Sequence, residues 1–195
     1  PAFTFGTTEL DGIWVGKFET TGSATTPTIK PNVTSLTSQN VSTKFTTGQK
    51  FGTSNYLTTT GVSQVDAHMM KNTEWGAVAY LKQSKYGLGL TDIALNSNDS
   101  NDSYLSDSYL TGCGPQSAGS TSYGSTCNAY NTDLGKSAST TGNITGIYDM
   151  AGGAGEYVMG VMQDNTNTNT PMSGFSTSGN SGFTGKVYAS GNYTS

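Results

Sequence analysis

The sequence is poor in charged residues and cysteines, and it lacks both basic clusters and long apolar runs. Only 11% of its 195 residues are charged, and the formal net charge is -4. The nine basic residues form no cluster that could attract a phosphate backbone, so we expect no nucleic-acid partner. No apolar run approaches the roughly 20 residues of a membrane helix, and no signal-peptide pattern opens the chain. We therefore expect no membrane contact by this segment.

Most of the polar surface must come from uncharged side chains. Hydrophobic residues make up 33% of the chain and aromatic residues 10%. Disorder usually combines low hydrophobicity with high charge, so this weakly charged chain is expected to fold, with long loops. Its length suits one domain covering residues 1–195. The start at Pro1 suggests that a leader, an anchor or an upstream segment has been removed or is not included.

The two cysteines enclose a flexible loop with the sequence CGPQSAGSTSYGSTC. We predict a disulfide between Cys113 and Cys127, with two unlinked thiols as the alternative. Closing a loop of this length would contribute up to about 3 kcal/mol. A chain with a single histidine and two cysteines cannot supply the four ligands of a Cys/His zinc site. A disulfide indicates an oxidising, extracellular or cell-surface location.

One helix is clearly indicated, in the stretch KNTEWGAVAYL. Asn72 or Thr73 is the expected cap, Trp75 and Val78 share one face, and Gly87 is a suitable stop. A shorter helix is predicted just before it, in VSQVDAHMM. Residues 21–62 are predicted to be a long loop with extended pieces such as STKFTT. A long loop or insertion is predicted at about 91–142.

Tyrosines interspersed with Ser, Thr, Asn and Gly are the candidate ligand-binding residues. Tyrosine offers rigid contact area, and the small polar residues offer adaptable hydrogen bonds, a composition suited to a glycan or a host-protein ligand. The alternative is that these loops are only solvated filler. The candidates are Tyr104, Tyr109, Tyr123 and Tyr130.

Three segments, IWVGKFETT, MKNTEWGAVAYL and GNITGIYDMAGGAGEYVMG, resemble in order the formylglycine-generating-enzyme and sulfatase-modifying-factor group. Forms of the last two also resemble bacterial surface proteins with a prepilin-type N-terminal segment. The resemblance implies an α+β, C-type-lectin-like fold with two helices, small twisted antiparallel sheets and long irregular loops. It also implies that Trp75 and Tyr148 belong to one packed scaffold. The family's closing Gly-Phe-Arg strand is missing, so the sheet would be incomplete at the C-terminus.

The family's calcium-binding and oxidase residues are only partly present. The resemblance implies a calcium ligand at Glu156, but Gly153 replaces the family's Asn, and Gly155 its Trp. A glycine-rich turn with a structural acid is therefore favoured over calcium. No cysteine follows Cys127 and no Arg-Gly-Gly stretch exists, so the oxidase chemistry is not implied. A lone histidine, His68, beside two methionines is more often structural than catalytic.

The sequence therefore indicates a non-catalytic extracellular surface module, pilin-like or adhesin-like, that serves assembly, ligand binding or both. Its expected partners are copies of itself or other surface subunits in a filament, because a partner strand would complete the sheet. One alternative is a phage or virion protein for receptor binding or display. The other is an oxidase of the formylglycine-generating type, which the missing cysteine pair disfavours. No cofactor other than calcium is expected.

Overall fold

The computed structural model describes residues 4–5, 8–53, 66–98 and 109–159. Where the sequence predicts a single domain, the contacts of the chain group into two compact units, with Trp75 in the first and Tyr148 in the second. That these two residues belong to one packed scaffold stays a prediction. The first unit contains Pro1–Trp14, Asn40–Trp75 and Tyr157–Ser195, and the second contains Val15–Gln39 and Gly76–Glu156.

Short helices alternate with two-stranded antiparallel sheets along the described chain, which confirms the α+β class. No helix in the described ranges is long and apolar enough to cross a membrane. The sheets pair β1 with β2, β3 with β4, and β5 with β6. In chain order the elements are β1 (Thr4–Phe5), β2 (Thr8–Glu9), β3 (Thr20–Gly22), β4 (Pro27–Ile29), α1 (Val41–Lys50), α2 (Asn72–Ala79), a 3-10 turn (Tyr80–Gln83), β5 (Cys113–Gly114), β6 (Asn128–Ala129) and α3 (Asp133–Ser137).

Helix α1 replaces an extended piece predicted in residues 21–62. Its sequence, VSTKFTTGQK, is rich in β-branched residues, which disfavour a helix. The Oδ1 atom of Asn40 overcomes this by accepting hydrogen bonds from the Thr43 N–H at 2.8 Å and the Thr43 hydroxyl at 2.9 Å. Phe45 and Thr47 are buried, so tertiary packing supports the helix as well.

The predicted tryptophan-bearing helix is present as α2, but its cap differs from the expected one. Asn72 is already helical, so Lys71 precedes the helix and neither Asn72 nor Thr73 caps it. The Glu74 carboxylate instead accepts the Lys71 backbone N–H at 2.8 Å, which is one half of a capping box. Of the shorter predicted helix, only residues 66–70 are described, and they are irregular rather than helical. The rest of that prediction lies outside the described residues.

The second unit brings the chain around residues 32–35 alongside residues 109–111. The Asn32 and Ser35 backbone N–H groups donate to the carbonyls of Thr111 and Tyr109, at 2.7 and 2.9 Å. The Thr111 N–H donates in return to the Val33 carbonyl at 3.0 Å. These bonds attach the segment that precedes the first cysteine to the segment that follows β4.

The apolar core of the second unit is small and aromatic. Phe18, Ala138 and Tyr148 are buried together, with Tyr130 packed against them. The ring centroids of Phe18 lie 5.3 Å from those of both Tyr130 and Tyr148, distances typical of favourable aromatic pairs. The Lys17 ammonium lies 4.8 Å from the Tyr130 ring centroid, so its charge faces an aromatic ring.

Much of the loop predicted at about 91–142 is ordered by a disulfide and by α3. Cys113 and Cys127 are bonded, as the sequence predicts. Strand β5 begins at Cys113, and β6 begins directly after Cys127. Helix α3 is capped by Thr132, whose hydroxyl accepts the Gly135 N–H at 3.1 Å. A Cβ atom at Gly135 would overlap the Ala129 carbonyl, so α3 approaches β6 more closely than any other residue type allows.

This close approach predicts that Gly135→Ala destabilises the protein by about 3 kcal/mol, because the added methyl group must displace backbone atoms. Gly76→Ala is the matched control, since its Cβ would meet no atom within 4 Å in the interior of α2. The control is expected to gain up to about 1 kcal/mol from helix propensity. Urea denaturation of both variants measures the difference, and equal stabilities would contradict the close approach.

Candidate functional site

The Asp149 carboxylate is buried in the second unit and accepts hydrogen bonds from three separate parts of the chain. The residue is 2% exposed. Its Oδ1 accepts from the Asn96 side-chain amide at 2.8 Å and from the Gly112 N–H at 2.9 Å. Its Oδ2 accepts from the Gly112 N–H at 3.0 Å and from the Glu19 N–H at 3.3 Å. We call Glu19, Ser35, Asn96, Gly112 and Asp149 the Asp149 cluster.

Asn96 extends these hydrogen bonds to the segment on both sides of residues 99–108. Its amide also donates to the Leu110 carbonyl at 2.9 Å, and its Oδ1 accepts the Asn98 N–H at 3.1 Å. Asn98 in turn accepts the Leu110 N–H at 3.2 Å through its side-chain oxygen. Both asparagines are buried. They therefore satisfy backbone groups that a regular strand would otherwise pair.

Glu19 is the second acid of the cluster and has fewer hydrogen bonds than Asp149. The Ser35 hydroxyl donates to its Oε2. Its Oε1 is shielded from solvent and has no hydrogen-bond partner among the described residues. Gly153, with φ of +75°, lies next to this oxygen, and a Cβ there would stand 2.6 Å from it. Glycine is thus required at position 153 by its backbone conformation and by the Glu19 carboxyl.

Burial raises the pKa of both acids, and their proximity raises that of Glu19 further. For Glu19, burial acts first and the Asp149 charge second, and together they hold the pKa well above 4.5 despite the Ser35 hydrogen bond. Burial also raises the pKa of Asp149, while the Gly112 and Asn96 donors oppose the rise. Because Asp149 receives more donors, it carries the negative charge and Glu19 keeps its proton to higher pH.

The motif that contains Asp149 adopts the backbone conformation this contact requires. Asp149 itself has φ of +64°, in the left-handed region that Asp and Asn tolerate better than most residues. Gly152, with φ of +76°, approaches the Asn96 carbonyl so closely that a Cβ would overlap it. The Gly153 N–H donates to that same carbonyl at 3.0 Å. Gly152 and Gly153 are therefore architectural, the role that the sequence favours for this turn.

The described loop that the disulfide closes offers an exposed, hydroxyl-rich surface on a buried base. Cys113, Gly114 and Pro115 are buried, and the Asn128 side chain donates to the Pro115 carbonyl at 2.6 Å. The Gly124 N–H donates to the Ser97 carbonyl at 3.0 Å, which ties the far side of the loop down. The exposed positions between the cysteines are Ser117, Ala118, Gly119, Thr121, Ser122, Ser125 and Thr126.

The four predicted ligand-binding tyrosines lie in different surroundings. Tyr104 falls outside the described residues. Tyr109 is 1% exposed, so its side chain presents no surface to a ligand, and its ring centroid lies 6.2 Å from that of Tyr123. Tyr130 is partly buried against the aromatic core. Tyr123 is also partly buried, and it alone of the three described tyrosines lies inside the disulfide-closed loop.

The predicted metal ligand Glu156 is exposed at the end of the second unit. Its charge contributes to the raised pKa of Glu19. No group of three or more His, Cys, Asp or Glu side chains that could hold a metal ion occurs in the described ranges. Calcium binding at Glu156 stays a prediction. Glu19 and Asp149, the two acids of the Asp149 cluster, were not among the predicted site residues. The sequence feature that could have indicated Asp149 is its position beside the glycines in YDMAGG.

No protein-family model matches the chain, and no curated protein or solved structure is significantly similar to it.

Asp149→Asn is expected to destabilise the protein by about 3 kcal/mol. The amide nitrogen cannot accept a hydrogen bond, so at least one buried N–H group that bonds to Asp149 loses its acceptor. The exposed Asp11→Asn is the control and should change the free energy of unfolding by less than about 0.5 kcal/mol. Guanidinium denaturation measures both variants. An Asp149→Asn protein as stable as the control would contradict the role assigned to the carboxylate.

The raised pKa of Glu19 gives stability a pH dependence of defined sign. Between 4.5 and its folded-state pKa, the folded protein holds a proton that the unfolded chain has released. The free energy of unfolding therefore falls as pH rises through this window. In Glu19→Gln this fall should be smaller, and the variant should be more stable than wild type at neutral pH.

Denaturation at half-unit steps from pH 4.5 to 8 measures this difference. Glu9→Gln removes an exposed carboxylate and should keep the wild-type slope. Identical slopes for Glu19→Gln and wild type would show that the Glu19 pKa is not raised.

Proposed function

We propose that the protein is a non-catalytic extracellular surface module with a C-type-lectin-like arrangement, whose disulfide-closed loop binds a ligand. The observation that carries the proposal is the contrast within Cys113–Cys127. The ends of this loop are fixed by a disulfide and buried backbone, whereas its middle exposes small hydroxyl side chains. In recognition modules, the binding residues commonly lie on loops that a rigid scaffold holds in position.

The ligand class that fits this surface is a glycan or another uncharged polar surface. The exposed loop positions carry Ser, Thr, Gly and Ala, with no charged side chain between the two cysteines. Hydroxyl groups both donate and accept, as sugar hydroxyls do. Tyr123 supplies an aromatic ring at the same loop, against which a sugar can pack.

The arrangement of titratable groups supports a non-catalytic role. The two cysteines are bonded to each other, so the chain has no thiol for an oxidase of the formylglycine-generating type. The two acids of the Asp149 cluster are engaged by backbone and side-chain donors. The disulfide also fits an oxidising location outside the cell. Assembly with copies of itself or other surface subunits is part of the same proposal.

The ligand-binding test is a glycan array probed with the wild-type protein, Tyr123→Ala and Tyr86→Ala. Tyr86 is an exposed tyrosine outside the loop and serves as the matched control. We expect Tyr123→Ala to reduce binding at least tenfold and Tyr86→Ala to leave it unchanged. Binding that is lost equally in both variants, or absent from the wild type, would contradict glycan recognition by this loop.

A second experiment tests the non-catalytic role. Incubation with a cysteine-containing sulfatase peptide, followed by mass spectrometry, should leave the peptide mass unchanged. A mass loss consistent with conversion of the thiol to an aldehyde would replace the proposal with the oxidase.

A further inference from the structure

His68, in the first unit, lies between two carboxylates. Its Nε2 lies 3.2 Å from Glu74 Oε2 and 3.3 Å from Glu74 Oε1. Its Nδ1 lies 3.5 Å from Asp66 Oδ2. The side chains of His68 and Glu74 are 11% and 2% exposed, whereas Asp66 is more than half exposed. The imidazole therefore meets one buried and one accessible acid.

Lys71 completes this group, which we call the His68 cluster: Asp66, His68, Lys71 and Glu74. The Lys71 ammonium lies 3.3 Å from Glu74 Oε1, and its backbone N–H donates to Glu74 Oε2. With His68 protonated, these four side chains carry two negative and two positive charges. Without that proton, the cluster has an excess negative charge beside a buried carboxylate, which costs free energy.

The segment that carries His68 also holds Met159. The Met159 N–H donates to the Met70 carbonyl at 2.7 Å, and Met159 pairs in parallel with Lys71. Met159 is buried. Gly48 of α1 also approaches this segment, so closely that a Cβ there would stand 2.9 Å from the Met69 nitrogen. Residues 68–71 thus contact both α1 and the chain at Met159.

We propose that the protonated His68 cluster holds the 66–71 segment in the position that binds Met159, and that loss of the His68 proton loosens this contact. The cluster bonds to the backbone of Lys71, the residue paired with Met159, so a change in its charge acts one residue from the contact. The contact between Met70 and Met159 is therefore a pH-sensitive device within the first unit.

The electrostatics give the direction. The hydrogen bond with Glu74 raises the pKa of His68 above 6.5, with Asp66 assisting and burial and Lys71 opposing. The contribution of His68 to stability is therefore complete below pH 6.5 and is lost as pH rises through the folded-state pKa. Burial raises the pKa of Glu74, but the bonds from His68 and Lys71 outweigh it and lower the pKa below 4.5. The Glu74 contribution is thus lost only in stronger acid.

Amide hydrogen exchange of Met159 between pH 5 and 8 tests the proposal, after correction for the intrinsic rate. In wild type, the protection factor should fall as pH rises through the His68 pKa. The fall should be about tenfold for each unit by which the pKa in the closed contact exceeds that in the loosened one. His68→Gln keeps a donor toward Glu74 without a titrating charge, so its Met159 protection should be independent of pH. The Lys136 amide, bonded at 2.8 Å to the Thr132 carbonyl in the second unit, is the internal control.

A wild-type titration serves as the second readout and requires no variant. His68 is the only histidine, so its ring protons are unambiguous in an NMR spectrum. A His68 pKa at or below 6.5, or Met159 protection that is absent or constant over this range, would overturn the proposal. A pH dependence that persists in His68→Gln would also overturn it.

Discussion

The structure of the second unit depends on one buried carboxylate that satisfies backbone groups far apart in the sequence. Asp149 receives the N–H groups of Glu19 and Gly112 and the side-chain amide of Asn96. Hydrogen bonds to a charged acceptor are stronger than neutral ones, and they are stronger still where water is excluded. The same burial makes the carboxylate costly if one donor is lost, so the three segments must be in place together.

The polar character of this core follows from the composition. Among the described residues, buried polar side chains are more numerous than buried apolar ones, and the aromatic cluster around Phe18 and Tyr148 is small. Hydrogen bonds from Thr, Ser and Asn therefore help to specify this fold, a role that apolar packing has in most domains. The disulfide adds a covalent constraint where regular strands are only two residues long.

The sequence predicted the features that local chemistry determines. The tryptophan-bearing helix, the disulfide and the architectural role of the glycines in YDMAGG were all predictable from spacing and residue type. Helix α1 was not, because its β-branched residues favour an extended chain, and its stability comes from the Asn40 cap and the burial of Phe45. The cap is a local feature of the sequence, whereas the burial of Phe45 is a tertiary contribution that local patterns do not encode.

The candidate site was predictable only in part for a similar physical reason. Glu156 was predicted as a site residue because of its motif, yet Glu19 and Asp149 are the acids whose pKa values are raised, with burial as the first cause. Their proximity depends on residues 130 positions apart and on the Gly112 backbone between them. Tyr109, predicted to face a ligand, is buried, because it belongs to the segment that pairs with residues 32–35.

The most direct measurement of the central claim is the hydrogen exchange rate of the Gly112 amide under native conditions. If the Asp149 carboxylate holds the second unit together, this amide should exchange only through global unfolding, with the same free energy as the Thr111 amide that bonds to Val33. Exchange of Gly112 through local opening, at a free energy well below that of Thr111, would contradict the account.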